Sequence, residues 1–334
     1  MKAIDGDSGV LIISTLPRGA PSGASALVAV DRQELKPIAV REIREEEYLE
    51  DPVLGAPGRI RHCRGVAQSG DRLYVALFNC IREYTVESAR ELVLRPGRVF
   101  THPRAADLHG ICIHGRMLSA ASTGSNCVIT WNLDSGKACL VSLGQHGDDD
   151  VRFPDRLARE VGADDWRDVL DHDLHLNGVS ALPDGRVVVC SLTTVWQLGP
   201  SGPQPIIEEP TARMHDGCLG GAEKLLLTDA SCGIVLSVDL TGNTFARIPV
   251  VNPDKWFVRG IGFVDDTAYV LASESMLSRQ RSPRREVELE PEMGGAFLLF
   301  DIEPALGALR DERLVPLPTI ASKSVAYGLL AWKS

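Results

Sequence analysis

LHLNGVSALPDGRVVVCS, residues 174–191, carries the pattern from which the fold follows. A polar residue, Asn177, stands before Gly178, and a short apolar run follows. Pro183-Asp184-Gly185 then marks a turn, because glycine takes the positive φ that such turns need. Val187-Val188-Val189-Cys190 is a β-branched run of strand length. The stretch therefore reads strand, turn, strand.

Five other segments repeat it. They are RHCRGVAQSGDRLYVALFN from Arg61, DLHGICIHGRMLSAAS from Asp107 and MHDGCLGGAEKLLLTDAS from Met214, then FVRGIGFVDDTAYVLAS from Phe257 and VAYGLLAWKS from Val325. Their anchoring glycines are Gly65, Gly110, Gly178, Gly217, Gly260 and Gly328, spaced by 45, 68, 39, 43 and 68 residues. A period near 40–50 residues is that of a four-stranded propeller blade. The two long intervals hold insertions at about 144–173 and 276–293, the first with a short helix expected over 156–170. Outer-strand phrases such as Val128-Ile-Thr-Trp-Asn-Leu133 and Ile234-Val-Leu-Ser-Val-Asp-Leu240 fill the blades. A β-sandwich would also give short strands, but not the recurring inner phrase.

The sixth repeat stops without its outer strands, while Val10–Thr15 and Ala26–Val30 are strand-like runs with no inner partner. The expectation is an all-β, six-bladed β-propeller, residues 1–334 as one domain, with N-terminal strands completing the last blade and removing its exposed edge.

Composition narrows the function classes. The formal charge of −10 argues against a nucleic-acid partner, which needs concentrated Lys and Arg. The basic run Arg279–Arg285 is followed at once by Glu286, Glu288, Glu290 and Glu292, a self-compensating solvated loop. No apolar run reaches the roughly 18 residues of a membrane helix, and no basic, apolar leader opens the chain. A cytoplasmic protein is expected. Eight cysteines include Cys80, Cys112, Cys127 and Cys190 in apolar strand-like runs, where cysteine behaves as a small buried hydrophobe. None forms a close Cys-x-x-Cys pair, which argues against a zinc ribbon.

Strand side chains alternate faces. Taking the residue before each glycine as channel-facing gives a first ring of Arg64, His109, Asn177, Asp216, Arg259 and Tyr327. Two positions earlier stand His62, Asp107, His175, Met214, Phe257 and Val325. All of the first ring can hydrogen-bond, and titratable groups gathered at one address point to a site. Propeller channels are wet, so a polar lining without catalysis is the competing reading. His215 is assigned to the blade interior, His172 to a loop, and His102, His114 and His146 to turns or surface.

LHLNGVSALPDGRVVVCS and HDGCLGGAEKLLLTDASCGIVLSVDLTG resemble the Asn-Gly and Asp-Gly blades of the senescence-marker-protein/gluconolactonase family. Members of that family are six-bladed propellers that hold a divalent cation at the channel mouth and open lactones, and related propellers hydrolyse phosphoesters. The resemblance implies Asn177 and Asp216 as oxygen ligands of one divalent ion (Ca, Zn, Mn or Fe), with His109 completing the set and Asp216 as general base. The first blade departs: the family has a glutamate ligand where this chain has Arg64. A guanidinium about 5 Å from a cation costs roughly 3 kcal/mol per unit charge at an effective dielectric near 20.

Arg64 and Arg259 instead suit an anion, which arginine holds through paired hydrogen bonds. The leading expectation is a small-molecule enzyme, hydrolase or lyase, acting on a polar or anionic substrate with or without metal. Asp216 or His109 transfers the proton, and Tyr327 donates a hydroxyl. Arg64, Arg259, Asn177, His175 and His62 bind substrate. The alternative is a non-catalytic propeller that presents a rim to protein partners or senses a ligand.

Overall fold

The computed structural model describes residues 9–17, 25–44, 47, 63–143, 174–182, 184–209, 212–219, 224–240, 244–251, 256–264, 267–274, 296–303, 308–316 and 324–333. The described strands form six four-stranded antiparallel sheets, and in five of them the innermost strand is followed in sequence by its neighbours. The innermost strands are Val66–Ser69, Leu108–His114, Val179–Ala181, Met214–Leu219, Trp256–Val264 and Ser324–Ala331. Each touches the next in that order, and the last touches the first. The arrangement is a β-propeller. The insertions at 144–173 and 276–293, with the expected helix and His62, lie outside the described residues. No helix among the described residues is long and apolar enough to cross a membrane.

The N-terminus closes the ring as the sequence predicts. Val10–Pro17 pairs antiparallel with Ser324–Ala331, Leu11 facing Ala331 and Ile12 facing Leu330, and then pairs with Ala26–Asp31. Val10 to Ile13 and Ala26 to Val30 are fully buried, because this sheet has neighbours on both faces. Outer strands read differently. Val93–Thr101 carries Arg95, Pro96, Gly97 and Arg98, all exposed, and such residues discourage edge-to-edge pairing.

The core lies between adjacent sheets rather than at the axis. One cluster joins Tyr74, Phe100, Leu108, Ile129 and Trp131, and another joins Leu226, Val235, Val258, Ala268 and Val270. Cys80, Cys127 and Cys190 are buried in it, Cys112 is half-buried, and all eight cysteines are free thiols.

Around the axis the strands crowd together. Gly65 N–H donates to His109 O at 3.0 Å and Gly110 N–H to Asn177 O at 2.7 Å, each across a sheet boundary. A Cβ on Gly65 would strike His109 O and stand 2.8 Å from Ile111 N; one on Gly110 would stand 2.8 Å from Asn177 O. A Cβ on Gly260 would meet Tyr327 O at 2.8 Å, and one on Gly328 would meet Arg64 O. At these four positions the glycine thus marks a slot where neighbouring inner strands come too close for a side chain.

One phrase is out of step. A Cβ on Gly178 would meet the Cα of Asp216 at 2.9 Å, so Asp216 occupies the slot of the Met214–Leu219 strand. A Cβ on Gly217 would meet Leu227 within its own sheet instead. The bulges agree: the extra pair is 109–110 in one strand, 259–260 in another and 215–216 here. His215 is therefore the counterpart of His109 and Arg259. Met214, expected in the channel, is the counterpart of Leu108 and Val258, and all three are fully buried in the core.

Candidate functional site

With the phase corrected, Arg64, His109, Asn177, His215, Arg259 and Tyr327 occupy equivalent positions, one before each slot. Tyr327 is the hub. The guanidinium carbons of Arg64 and Arg259 each lie 5.1 Å from its ring centroid, and His215 and His109 pack against it at 4.8 and 5.5 Å. His109 and His215 are 6.5 Å apart by ring centroid. Phe257 supports the other side of Arg259 at 4.6 Å and meets His215 edge-on at 5.5 Å.

Each arginine is tied to an imidazole. Arg64 Nη1 lies 2.6 Å from His109 Nδ1 and also contacts Nε2, and it bonds Asp107 Oδ1 at 2.9 Å. Arg259 Nη1 lies 3.1 Å from His215 Nε2, and its Nε donates to Ser273 Oγ at 3.1 Å. Asp107 O lies 2.9 Å from His109 Nδ1; with the proton on Nδ1 that carbonyl accepts from it, and Nε2 is the nitrogen that accepts from Arg64 Nη1. Thr123 Oγ1 contacts His109 Nδ1 and donates to Leu176 O. Thr123 gave no sequence signal, since it comes from the turn after the second strand of its sheet.

Two left-handed residues shape the approach. Asp107 has φ +50° and His175 has φ +48°, at equivalent positions two before His109 and Asn177. Neither is glycine, and such backbone is costly unless its surroundings hold it. The turns bring the Asp107 carboxylate onto Arg64 and the His175 ring to 5.4 Å from His109. His109 is 2% exposed, while His175, Phe257 and Arg259 are half-buried, so solvent reaches the cluster through the latter three.

The charge state follows from burial. Desolvation, then the Arg64 charge, holds His109 well below the usual imidazole range; desolvation and then Arg259 do the same for His215. Both are neutral bases at pH 7. Burial pushes the Tyr327 phenol up to about 12, so it stays a proton donor. Among the described residues of the cluster, two guanidiniums and one carboxylate carry the formal charge, and the carboxylate is paired with Arg64.

Of the residues singled out in the sequence, Arg64, His109, Arg259, Tyr327 and His175 come together, and Asn177 sits in register with them. Asn177 Nδ2 donates to Met214 O at 2.9 Å, while its buried Oδ1 is without a partner among the described residues. His215, assigned to the blade interior, belongs to the cluster. Asp216 does not: its carboxylate accepts from Gly217 N at 2.9 Å and Ile261 N at 3.3 Å, and it lines a cavity beyond the ring.

These positions do not fit the divalent ion that the family resemblance implies. The oxygen expected from Asp216 faces elsewhere, Arg64 and Arg259 stand against the two imidazoles, and among the described residues no three His, Cys, Asp or Glu side chains converge.

No protein-family model matches the chain, and no curated protein sequence matches it. Solved structures do. A nidogen–laminin complex component aligns over 97% of this chain and 99% of its own, at 9% identity and TM-score 0.60. A 6-phosphogluconolactonase-like protein from Bacteroides uniformis aligns over 93% and 83%, at 13% identity and TM-score 0.53. A streptogramin B lyase aligns over 85% and 89%, at 12% identity and TM-score 0.52. They share the propeller fold. At such identities the likeness carries no activity across.

Proposed function

We propose that the chain is a single-domain, six-bladed propeller enzyme that acts on a small anionic substrate by acid–base chemistry at the Tyr327 cluster. The observation that carries this is the pairing of each guanidinium with a neutral imidazole around one phenol. An incoming carboxylate or phosphate competes for Arg259, and for the outer face of Arg64, through charge-assisted bonds stronger than those to imidazole. The Nε2 lone pair of His215 or His109 is then free beside the bound anion. It takes a proton from a carbon next to the anionic group, or from a water attacking it. Tyr327 gives a proton to the departing oxygen. Asn177 Oδ1 accepts from a substrate hydroxyl. Elimination and hydrolysis both fit this set. Among the structural neighbours are a streptogramin B lyase and a 6-phosphogluconolactonase-like protein, whose names denote these two reaction types.

A second reading rests on the buried Arg64–Asp107 pair, which already neutralises one arginine. In it the cluster binds an anion without turning it over.

A turnover panel separates the two. It comprises sugar-acid lactones, phosphate monoesters, and carboxylates with a leaving group on the β-carbon. We expect hydrolysis or elimination of one class. His215→Gln or His109→Gln should lower kcat by about 10²-fold or more, and Arg259→Met should chiefly raise KM. Turnover of no class, or turnover indifferent to all three substitutions, would overturn the enzymatic reading.

A further inference from the structure

Beyond the ring, where the inner strands end, lies a cavity of about 360 Å³. That volume is within the range of small-molecule sites. All six innermost strands contribute to its wall, with Ala67, Cys112, Ser180, Cys218 and Phe263 among the lining residues. Among the described residues that line it, Asp216 is the one acidic residue and Lys333 the one basic residue.

Asp216 reaches this cavity because it takes a slot that glycine fills elsewhere. At Gly65, Gly110, Gly178, Gly260 and Gly328 the backbone is bare. In the sixth slot a carboxylate projects, held by the amides of Gly217 and Ile261. Those two bonds use one lone pair on each oxygen and leave the others available. Three other buried carboxylates have arginine partners, Glu47 with Arg41, Glu83 with Arg98 and Asp107 with Arg64, while buried Asp229 accepts from the Arg213 and Ser231 amides and the Ser231 hydroxyl. Asp216 has no cationic partner among the described residues.

We propose that this cavity is a second binding site, separate from the Tyr327 cluster, that takes a small organic ammonium. Its nitrogen bonds the Asp216 carboxylate, and its hydrocarbon part lies against Ala67, Cys112 and Phe263. An inorganic divalent ion suits the cavity poorly, since one carboxylate falls short of the six to eight oxygens that such an ion takes. Burial raises the Asp216 carboxyl to about 7, as expected for an acid awaiting a counter-charge.

The test is calorimetric titration of the full chain at pH 8 with benzylammonium, cyclohexylammonium and n-butylammonium, and with benzyl alcohol as neutral control. We expect saturable one-to-one binding of at least one ammonium, at least tenfold tighter than benzyl alcohol. Asp216→Gly, the residue that five equivalent slots already accept, should weaken it at least tenfold, as should Asp216→Asn. Binding of no ammonium, equal binding of benzyl alcohol, or binding unchanged in Asp216→Gly would overturn the proposal.

Discussion

Gly65→Ala should be among the most destabilising single substitutions in this protein, costing about 4 kcal/mol or more. A methyl group at Gly65 would run into the carbonyl oxygen of His109 and stand 2.8 Å from the amide of Ile111. Both obstacles are backbone of the next inner strand, fixed by the Gly65–His109 hydrogen bond. Relief therefore means parting two sheets at the axis, not turning a side chain. Gly199→Ala is the control: nothing lies within 4 Å of its added carbon, and its φ is not positive. Denaturant melts of the two variants check this. Similar midpoints for both would mean that the inner strands do not crowd as described.

The second large effect has the opposite sign. Asp216→Gly should stabilise the protein near neutral pH by up to about 4 kcal/mol, taking roughly 1.4 kcal/mol per pKa unit. The Asp216 carboxyl stands at about 7 in the folded protein against an ordinary 3.8, mainly through burial. The folded state thus holds this proton more tightly than the unfolded chain does. Its contribution to stability is fully present below about pH 4 and is lost as pH rises to about 7. The neighbouring thiols of Cys190 and Cys218 are pushed upward by burial and stay neutral in that window. Melting temperatures of wild type and Asp216→Gly should differ little at pH 4 and separate progressively up to pH 7. A constant gap would show that the carboxyl does not titrate there.

Much of the fold was legible because its strongest constraint is local. Five of the six glycines mark real points of backbone approach, and the two orphan N-terminal runs pair where ring closure requires. The site was legible to the same extent, since Arg64, His109, Asn177, Arg259 and Tyr327 follow from the glycine that comes next. The fourth phrase misled for a physical reason. In Met214-His215-Asp216-Gly217 the visible glycine is packed under Leu227, and the slot belongs to the aspartate before it.

Apolar alternation held the signal that glycine obscured. Cys63, Leu108, Leu176 and Val258 all precede a ring residue and are all buried. Met214 is the only apolar residue in its phrase that can play that part, and this makes His215 the ring member. Cys218 then aligns with Cys112, two residues beyond the slot. Thr123 and the left-handed turns at Asp107 and His175 were not legible, because they depend on how a neighbouring loop meets the ring.

In the proposed function the Tyr327 cluster receives an anion between its guanidiniums. The most direct test of this is equilibrium binding of malonate, a small dicarboxylate, at constant ionic strength. Wild type would be compared with Arg259→Met, which leaves the buried Arg64–Asp107 pair in place. The expected result is saturable one-to-one binding to the wild type that weakens at least tenfold in the variant. No binding to the wild type, or binding of equal strength to both proteins, would contradict it.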